Sequence, residues 1–589
     1  MLLPLCALAA AAGAAAPLPV EVHPERAVSV NGHTQVQRKL FGLTAYEGAT
    51  IPVLPDQREW LRQAGITCLG FPGVIGWCAP EQPPADRAAL QQWYASDEAA
   101  QMIRDRPLNG DRYMYGRLLP ACRELGVEPM VYLLGGPAWA MGPESIPNDA
   151  DEYAELVCAY VGLLRRFDPE LRLFHLDNEP NARWFKANQG GPEYAQLFVT
   201  VARELHARFP DARIGGPVLC WPPAWPPSQE GQANWYTWDQ WTMPLIEAAG
   251  DELDFFDFHL YNFALDQALE EITLLANTLR LQRGREVPIL ITESNLALSE
   301  AAWRTPAQHF ALRTLPWERY LLALLEHPDQ VESLQMHDLS AIAGDWWCRF
   351  LNWDDPVAQT PTFWLYRLMR HLRGTRVEVT HEGPLDAFAT RDGRQAACLV
   401  LNDTDQAAEV AVSFAGRPEG AQLTWERIYL APDGTFVHDE GVVPEPSGAS
   451  TVPVPPRGTV VLTTELPGMP EPAVGAELAE LYGDRVMNEI GAPGDTVTIT
   501  VNVPGEALAG AERAEARLGL LGSEADDRMR LTLAGAEYEV PTGTYYAVIP
   551  LRRLPSAGPN ELRFTLDERP REHRLRVSCA TLAVWGRHP

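Results

Sequence analysis

Two glutamates stand out by what precedes them. One segment reads Leu173-Phe174-His175-Leu176-Asp177-Asn178-Glu179-Pro180-Asn181, and another reads Ile289-Leu290-Ile291-Thr292-Glu293-Ser294-Asn295. In each, a short apolar run ends in a carboxylate. A Glu in such a place is commonly a salt-bridge partner, and Asn-Glu-Pro alone is a weak motif. The pairing changes the reading. Cleavage of a glycosidic bond needs two carboxyls, one to protonate the leaving oxygen and one to attack the anomeric carbon. When they stand about 5–5.5 Å apart, the reaction retains configuration through a covalent glycosyl-enzyme. Glu179 and Glu293 are therefore a candidate catalytic pair, one the acid/base and the other the nucleophile.

A third segment, Asp257-Phe258-His259-Leu260-Tyr261, places His259 and Tyr261 on one side of a strand by its two-residue period. They are candidate site residues; a strand His and Tyr satisfied by backbone groups is the blander reading. Trp221, Trp225, Trp235, Trp238 and Trp241 crowd the segment after the fifth strand candidate. Exposed indoles stack on the C–H faces of sugars, although a loop also packs its own small core with them. Trp221, Trp346, Trp347 and His337 are carried forward as candidate binding residues. Arg183 and Lys186 could meet an acidic or sulfated sugar, but a solvated loop explains them as well.

Such side chains must be positioned by a scaffold. From about residue 36 to 375, short apolar runs alternate with longer amphipathic stretches, the pattern of parallel α/β architecture. Eight strands are expected: Leu40–Leu43, Thr67–Phe71, Glu128–Leu134, Leu171–Leu176, Arg213–Gly216, Phe255–Leu260, Val287–Thr292 and Glu332–His337. Helices are expected at Glu152–Arg166, Pro192–Arg208, Leu265–Gln282 and Leu312–Glu326. No GxGxxG loop follows the first strand, so a closed (β/α)8 TIM barrel is preferred to an open nucleotide-binding sheet. In such a barrel the active site lies at the C-terminal strand ends, where Glu179 and Glu293 fall after the fourth and seventh.

Beyond Gly374 the helical signals vanish. Residues 376–465 read as a β-sandwich, the Pro-rich 466–472 as a linker, and 473–589 as a second all-β sandwich, whose Pro559-Asn560-Glu561-Leu562 resembles a galactose-binding-type jelly roll and fits a strand-rich spacer without ligand equally well. The catalytic barrel is assigned to 17–375. Residues 1–16 are expected to be a signal peptide, since the apolar run Leu2–Ala16 ends in small residues, although no Lys or Arg precedes it. This implies a secreted or periplasmic protein. No later stretch has the length of an apolar membrane span. The eight cysteines after Cys6 show no CxxC spacing, so a zinc ribbon or redox dithiol is not supported, and neither metal nor organic cofactor is expected. A net charge of −30 argues against nucleic acid or an anionic membrane as partner, and leans away from a uniformly polyanionic substrate. Oligomeric state is not legible.

Taken together, the motifs resemble the clan A retaining glycoside hydrolases, whose pattern is Asn-Glu after the fourth strand and Glu after the seventh. Asp177-Asn178-Glu179-Pro180-Asn181 is similar to the form in the β-xylosidase and α-L-iduronidase family, and the likeness covers the barrel, about 340 residues. It implies that Glu179 is the acid/base and Glu293 the nucleophile, that Asn178 hydrogen-bonds the sugar 2-hydroxyl, that His259 and Tyr261 line the sugar subsite with the Tyr261 hydroxyl on the nucleophile, and that Trp346 and Trp347 supply an aromatic platform. One departure stands out. Related barrels often carry an Arg on the second strand to steady the nucleophile, where this chain has Gly70 in Cys68-Leu69-Gly70-Phe71-Pro72-Gly73. A barrel with two β-sandwiches is also similar to β-agarases and porphyranases, so an endo-enzyme on a marine galactan stands beside a xylosidase-like or arabinosidase-like exo-enzyme.

Two other classes compete. A non-catalytic carbohydrate-binding or surface scaffold protein would suit the β modules, but would be expected to have lost one glutamate. A metal-dependent barrel hydrolase would place His-x-His on the first strand, which instead reads Leu40-Phe41-Gly42-Leu43-Thr44.

Overall fold

A computed structural model describes residues 16–45, 55–105, 115–187, 189–220, 222–224, 238–296, 305–337, 350–352, 358–443, 450–571 and 573–587. Eight parallel strands close into a barrel: β1 Gly42–Thr44, β2 Cys68–Val74, β3 Glu128–Leu134, β4 Leu173–Leu176, β5 Arg213–Leu219, β6 Phe255–Tyr261, β7 Ile289–Asn295 and β8 Val331–Met336. Closure comes from β1 pairing with β8, Gly42 opposite Gln335 and Leu43 opposite Met336. Each of the eight expected runs overlaps one of these strands, the first least, since Leu40 closes a short 3-10 turn and only Gly42 and Leu43 are in β1. The ends differ where polar residues still pair at the barrel mouth: β7 runs on through Glu293 to Asn295.

The outer helices follow their local signals. Ala150–Leu164 starts at Asp149, whose carboxylate accepts from Glu152 N at 2.9 Å. Leu265–Arg283 stops at Gly284, which takes the left-handed conformation that favours glycine. This helix buries its polar residues too: Glu270, Glu271 and Asn277 are at most 1% exposed. The reason is tertiary. Strands Ala511–Leu521 and Leu575–Arg587 of the last module cover its outer face, and Ser578 Oγ donates to Glu270.

The chain forms two compact units, residues 1–27 with 371–473, and residues 28–370 with 474–589. In the first, the expected sandwich has strands Thr375–His381, Leu385–Asp392, Gln395–Asn402, Ala408–Phe414, Leu423–Leu430, Phe436–Val442, Ser450–Val454 and Gly458–Glu465. Two expectations are corrected here. The stretch after residue 17 was assigned to the barrel, but strand Leu18–Val30 pairs in parallel with Ala408–Phe414 and antiparallel with Thr375–His381. Its Val20 and Val22 enter the sandwich core, so burial and not chain proximity decides its place. The 466–472 segment is not a free linker either. Leu466 is buried in that core, and the Arg391 guanidinium donates to the carbonyls of Met469 and Pro470.

The last module is a second sandwich. One sheet orders Ala473–Tyr482, Leu575–Arg587, Ala511–Leu521 and Tyr546–Pro550; the other orders Thr496–Val503, Gly558–Glu568, Arg528–Leu533 and Ala536–Val540. Alternate apolar residues such as Ile499, Val501, Leu531 and Phe564 fill the space between them. Among the described residues seven cysteines are unbridged thiols, and no helix is long and apolar enough to cross a membrane.

Candidate active site

The chain turns sharply after β4. Asp177 and Glu179 both adopt positive φ, 70° and 50°, a conformation that costs a side-chain-bearing residue roughly 1 kcal/mol or more. The surroundings over-determine it. Asp177 accepts from its neighbour Asn178 N at 2.8 Å, from Trp184 Nε1 at 3.1 Å and from the Arg183 guanidinium. Glu179 N donates to Val218 O, and Asn181 Oδ1 takes Cys220 N at 2.9 Å, so the turn is fastened to β5. Arg183 thus organises the turn from within; the Lys186 side chain lies outside the described residues.

The turn aims Glu179 into the mouth, where it meets β6. Inward-facing residues on β6 alternate as Asp257, His259 and Tyr261. His259 Nδ1 lies 2.9 Å from Glu179 Oε1 and 3.4 Å from Glu293 Oε2. Tyr261 donates its hydroxyl to Glu293 Oε2 at 2.7 Å. One carboxylate oxygen of Glu179, one of Glu293 and a His259 nitrogen all lie within 4.8 Å of one another. His337, after β8, brings Nδ1 to 3.9 Å from Glu293 and 3.0 Å from Thr44 Oγ1. The sequence candidates Glu179, Glu293, His259, Tyr261 and His337 therefore share one cleft. Asn178 lies beside them, and its Oδ1 is buried without a hydrogen-bond partner among the described residues.

The electrostatics follow from this packing. Burial pulls the His259 imidazole down, but the charges of Glu293 and Glu179 outweigh it and hold it at about 9. Burial pushes Glu179 up, while the hydrogen bond from His259 overcomes that and keeps the carboxyl below its ordinary range. With its Nδ1 engaged by both carboxylates, the Glu-His-Glu set is a hydrogen-bonded array. Two further groups combine His with carboxylates: His327, Asp329 and Glu480, and Glu426, His438 and Glu440. In the first, Arg280 and Arg517 already neutralise Asp329 and Glu480. In the second, Glu426 lies directly across the strand pair from Glu440, with His438 Nε2 2.8 Å from Glu426.

The absent Arg of β2 is explained by its neighbours. A Cβ on Gly70 would lie 2.0 Å from both Tyr132 Oη and Gln335 Oε1, which hydrogen-bond each other at 2.7 Å. Their side chains take the space an Arg would need, and among the described residues the nearest group to Glu293 that can carry positive charge is His259.

Three residues of the centre carried no expected role. Asp257, His175 and Thr292 form a buried chain beneath the carboxylates, with Asp257 accepting from both at 2.6 Å. The one available signal was the two-residue spacing of Asp257 to His259. Trp238 and Trp241 are buried, Trp238 in an apolar cluster with Leu274 and Trp241 against the Tyr194 ring, so they serve packing. Trp221, Trp225, Trp235, Trp346 and Trp347 lie outside the described residues.

No protein-family model matches the chain, and no curated protein does. Solved structures do. A family 86 glycoside hydrolase in complex with neoagarooctaose is similar over 96% of this chain and 98% of its own, at 16% identity and a TM-score of 0.72. A β-porphyranase of the same family, from the human gut bacterium Bacteroides plebeius, covers 97% and 100% at 14% identity, TM-score 0.67. The chain has the fold of clan A glycoside hydrolases. A family 51 α-L-arabinofuranosidase from Thermotoga petrophila covers 76% of this chain and 99% of its own, at 14% identity and a TM-score of 0.53. The family 86 likeness thus takes in both sandwiches as well as the barrel.

Proposed function

We propose that this chain is a retaining glycoside hydrolase acting on an oligo- or polysaccharide. The observation that carries the reading is that one carboxylate oxygen of Glu179 lies within 4.8 Å of one of Glu293, which suits the about 5–5.5 Å separation of a retaining pair. An inverting pair needs about 6.5–9.5 Å to hold a water between them. Glu293, oriented by Tyr261, attacks the anomeric carbon, and the glycosidic C–O bond breaks as Glu179 passes its proton to the leaving oxygen. Glu179 then takes a proton from water, and the resulting hydroxide displaces Glu293 from the sugar with a second inversion. The buried, unpartnered Asn178 Oδ1 supports a hydrogen bond from the sugar 2-hydroxyl, which gains strength as charge develops.

An agar- or porphyran-type galactan is the substrate we favour, because the likeness spanning nearly the whole chain is to the neoagarooctaose complex and the β-porphyranase. The arabinofuranosidase likeness covers less of it. The apolar run Leu2–Ala16, whose first fourteen residues lie outside the described ones, supports export of the protein.

The test uses wild type, Glu179→Gln and Glu293→Gln with agarose, porphyran, xylan and aryl glycosides that include an α-L-arabinofuranoside. Hydrolysis with retained anomeric configuration by wild type, lost about 10²-fold or more in each variant, is expected. Activity surviving both substitutions would sink the assignment. Release of arabinose alone would replace the galactan by the arabinosidase reading, and binding without hydrolysis would favour a scaffold protein.

A further inference from the structure

Beneath the two glutamates lies a carboxylate that, among the described residues, pairs with no Lys or Arg. Asp257 is fully buried, and among the described residues its hydrogen-bond partners are two neutral donors, His175 Nδ1 and Thr292 Oγ1, each at 2.6 Å. The partners are placed tellingly. His175 stands on β4, four residues before Glu179, and Thr292 stands on β7, directly before Glu293. Asp257, on β6, therefore ties together the strands that carry the two candidate catalytic residues. His175 is fixed in turn by stacking on Tyr132, ring centres 3.9 Å apart, and burial keeps it neutral. A neutral His175 with its proton on Nδ1 is the tautomer that can donate to Asp257.

The same carboxylate faces His259 from two residues below on its own strand. Among the described residues the charged or titratable groups around His259 are Glu179 after β4, Glu293 on β7, His337 after β8, His175 on β4, and Asp257 and Tyr261 on β6, with the Cys220 thiol after β5 against Glu179. Two carboxylates hold the imidazole from above and one from beneath. His259 Nε2 is buried and has no hydrogen-bond partner among the described residues, so the imidazolium relies on these surrounding charges.

We propose that Asp257 is a positioning residue of the catalytic centre: it joins the strands bearing Glu179 and Glu293 and keeps the His259 imidazole between them charged. The positioning role rests on the hydrolase reading above; the charge on His259 does not.

The experiment labels histidine at Cε1 with carbon-13 and follows the imidazole signals against pH in wild type and Asp257→Asn, with His259→Asn identifying the signal. Wild-type His259 is expected to titrate well above an ordinary histidine, and to fall by about one pH unit or more in Asp257→Asn. A wild-type midpoint near the ordinary value of about 6.5, or one that does not move, overturns the proposal. Asp257→Ser, which keeps an acceptor for both donors without the charge, serves if the amide variant does not fold, with the same fall expected. On a substrate that wild type cleaves, kcat in Asp257→Asn should drop about 10²-fold with KM within about twofold. Its pH profile should also move to lower pH, because a lost negative charge makes neighbouring protons easier to release. An unchanged kcat, or a loss confined to KM, overturns the positioning role. Inactivity of wild type on every glycan would instead sink the hydrolase reading and the positioning role with it, while the His259 midpoint still decides the charge.

Discussion

His259 Nδ1 reaches Glu179 Oε1 at 2.9 Å, so the imidazole and the candidate acid/base hold one hydrogen between them. Because the imidazole is held at about 9 and the carboxyl below its ordinary range, that proton rests mainly on His259 in the free protein. The proton needed for leaving-group departure is lost only when the pair as a whole gives it up. His259→Asn leaves Glu179 as its sole holder. The alkaline limb of the kcat/KM profile is therefore expected to fall from the basic range toward the carboxylate range. A limb that stays in place would show that the pair does not share the catalytic proton.

Tyr261 donates to Glu293, the proposed nucleophile, at 2.7 Å. A hydrogen bond to a charged group is worth about 1.5–3 kcal/mol. Tyr261→Phe should lower kcat by roughly 10- to 100-fold with little change in KM, as steady-state kinetics on the cleaved substrate will show.

Glu270 bears on stability. Burial beneath Ser578 holds its carboxyl up at about 8, against 4.5 for an ordinary glutamate. The folded state keeps a proton that the unfolded chain releases near 4.5, so stability falls as pH rises from about 4.5 to 8. Glu270→Gln removes that dependence. The variant is expected to melt at a higher temperature than wild type at pH 8.5, with the gap closing toward pH 5. An equal gap at both pH values would remove the titration argument.

Glu332 has the opposite sign. Burial pushes it up, but the paired Arg213 at 2.7–2.8 Å and Lys39 at 2.7 Å hold it at about 2. Its contribution is fully present above about 4.5 and is lost as pH falls toward 2. Glu332→Gln should destabilise the protein at pH 7 by on the order of 2 kcal/mol, and by much less at pH 2.5, in denaturant unfolding followed by tryptophan fluorescence.

What the sequence by itself determined is local. Apolar runs of strand length, spaced by amphipathic stretches, named all eight barrel strands, because backbone pairing and burial impose their period on consecutive residues. The same locality put Glu179 and Glu293 at strand ends and His259 and Tyr261 on one face. Tertiary structure decided the rest. Strand Leu18–Val30 joins a sandwich formed by residues more than 300 positions away. Glu270 and Glu271 are buried by a module that follows the barrel. The Gly70 position is filled by Tyr132 and Gln335 from two other strands, and Asp257 reaches β4 and β7 across the barrel interior. Each of these depends on a distance that ring closure sets between residues far apart in the chain, and no spacing along the chain encodes such a distance.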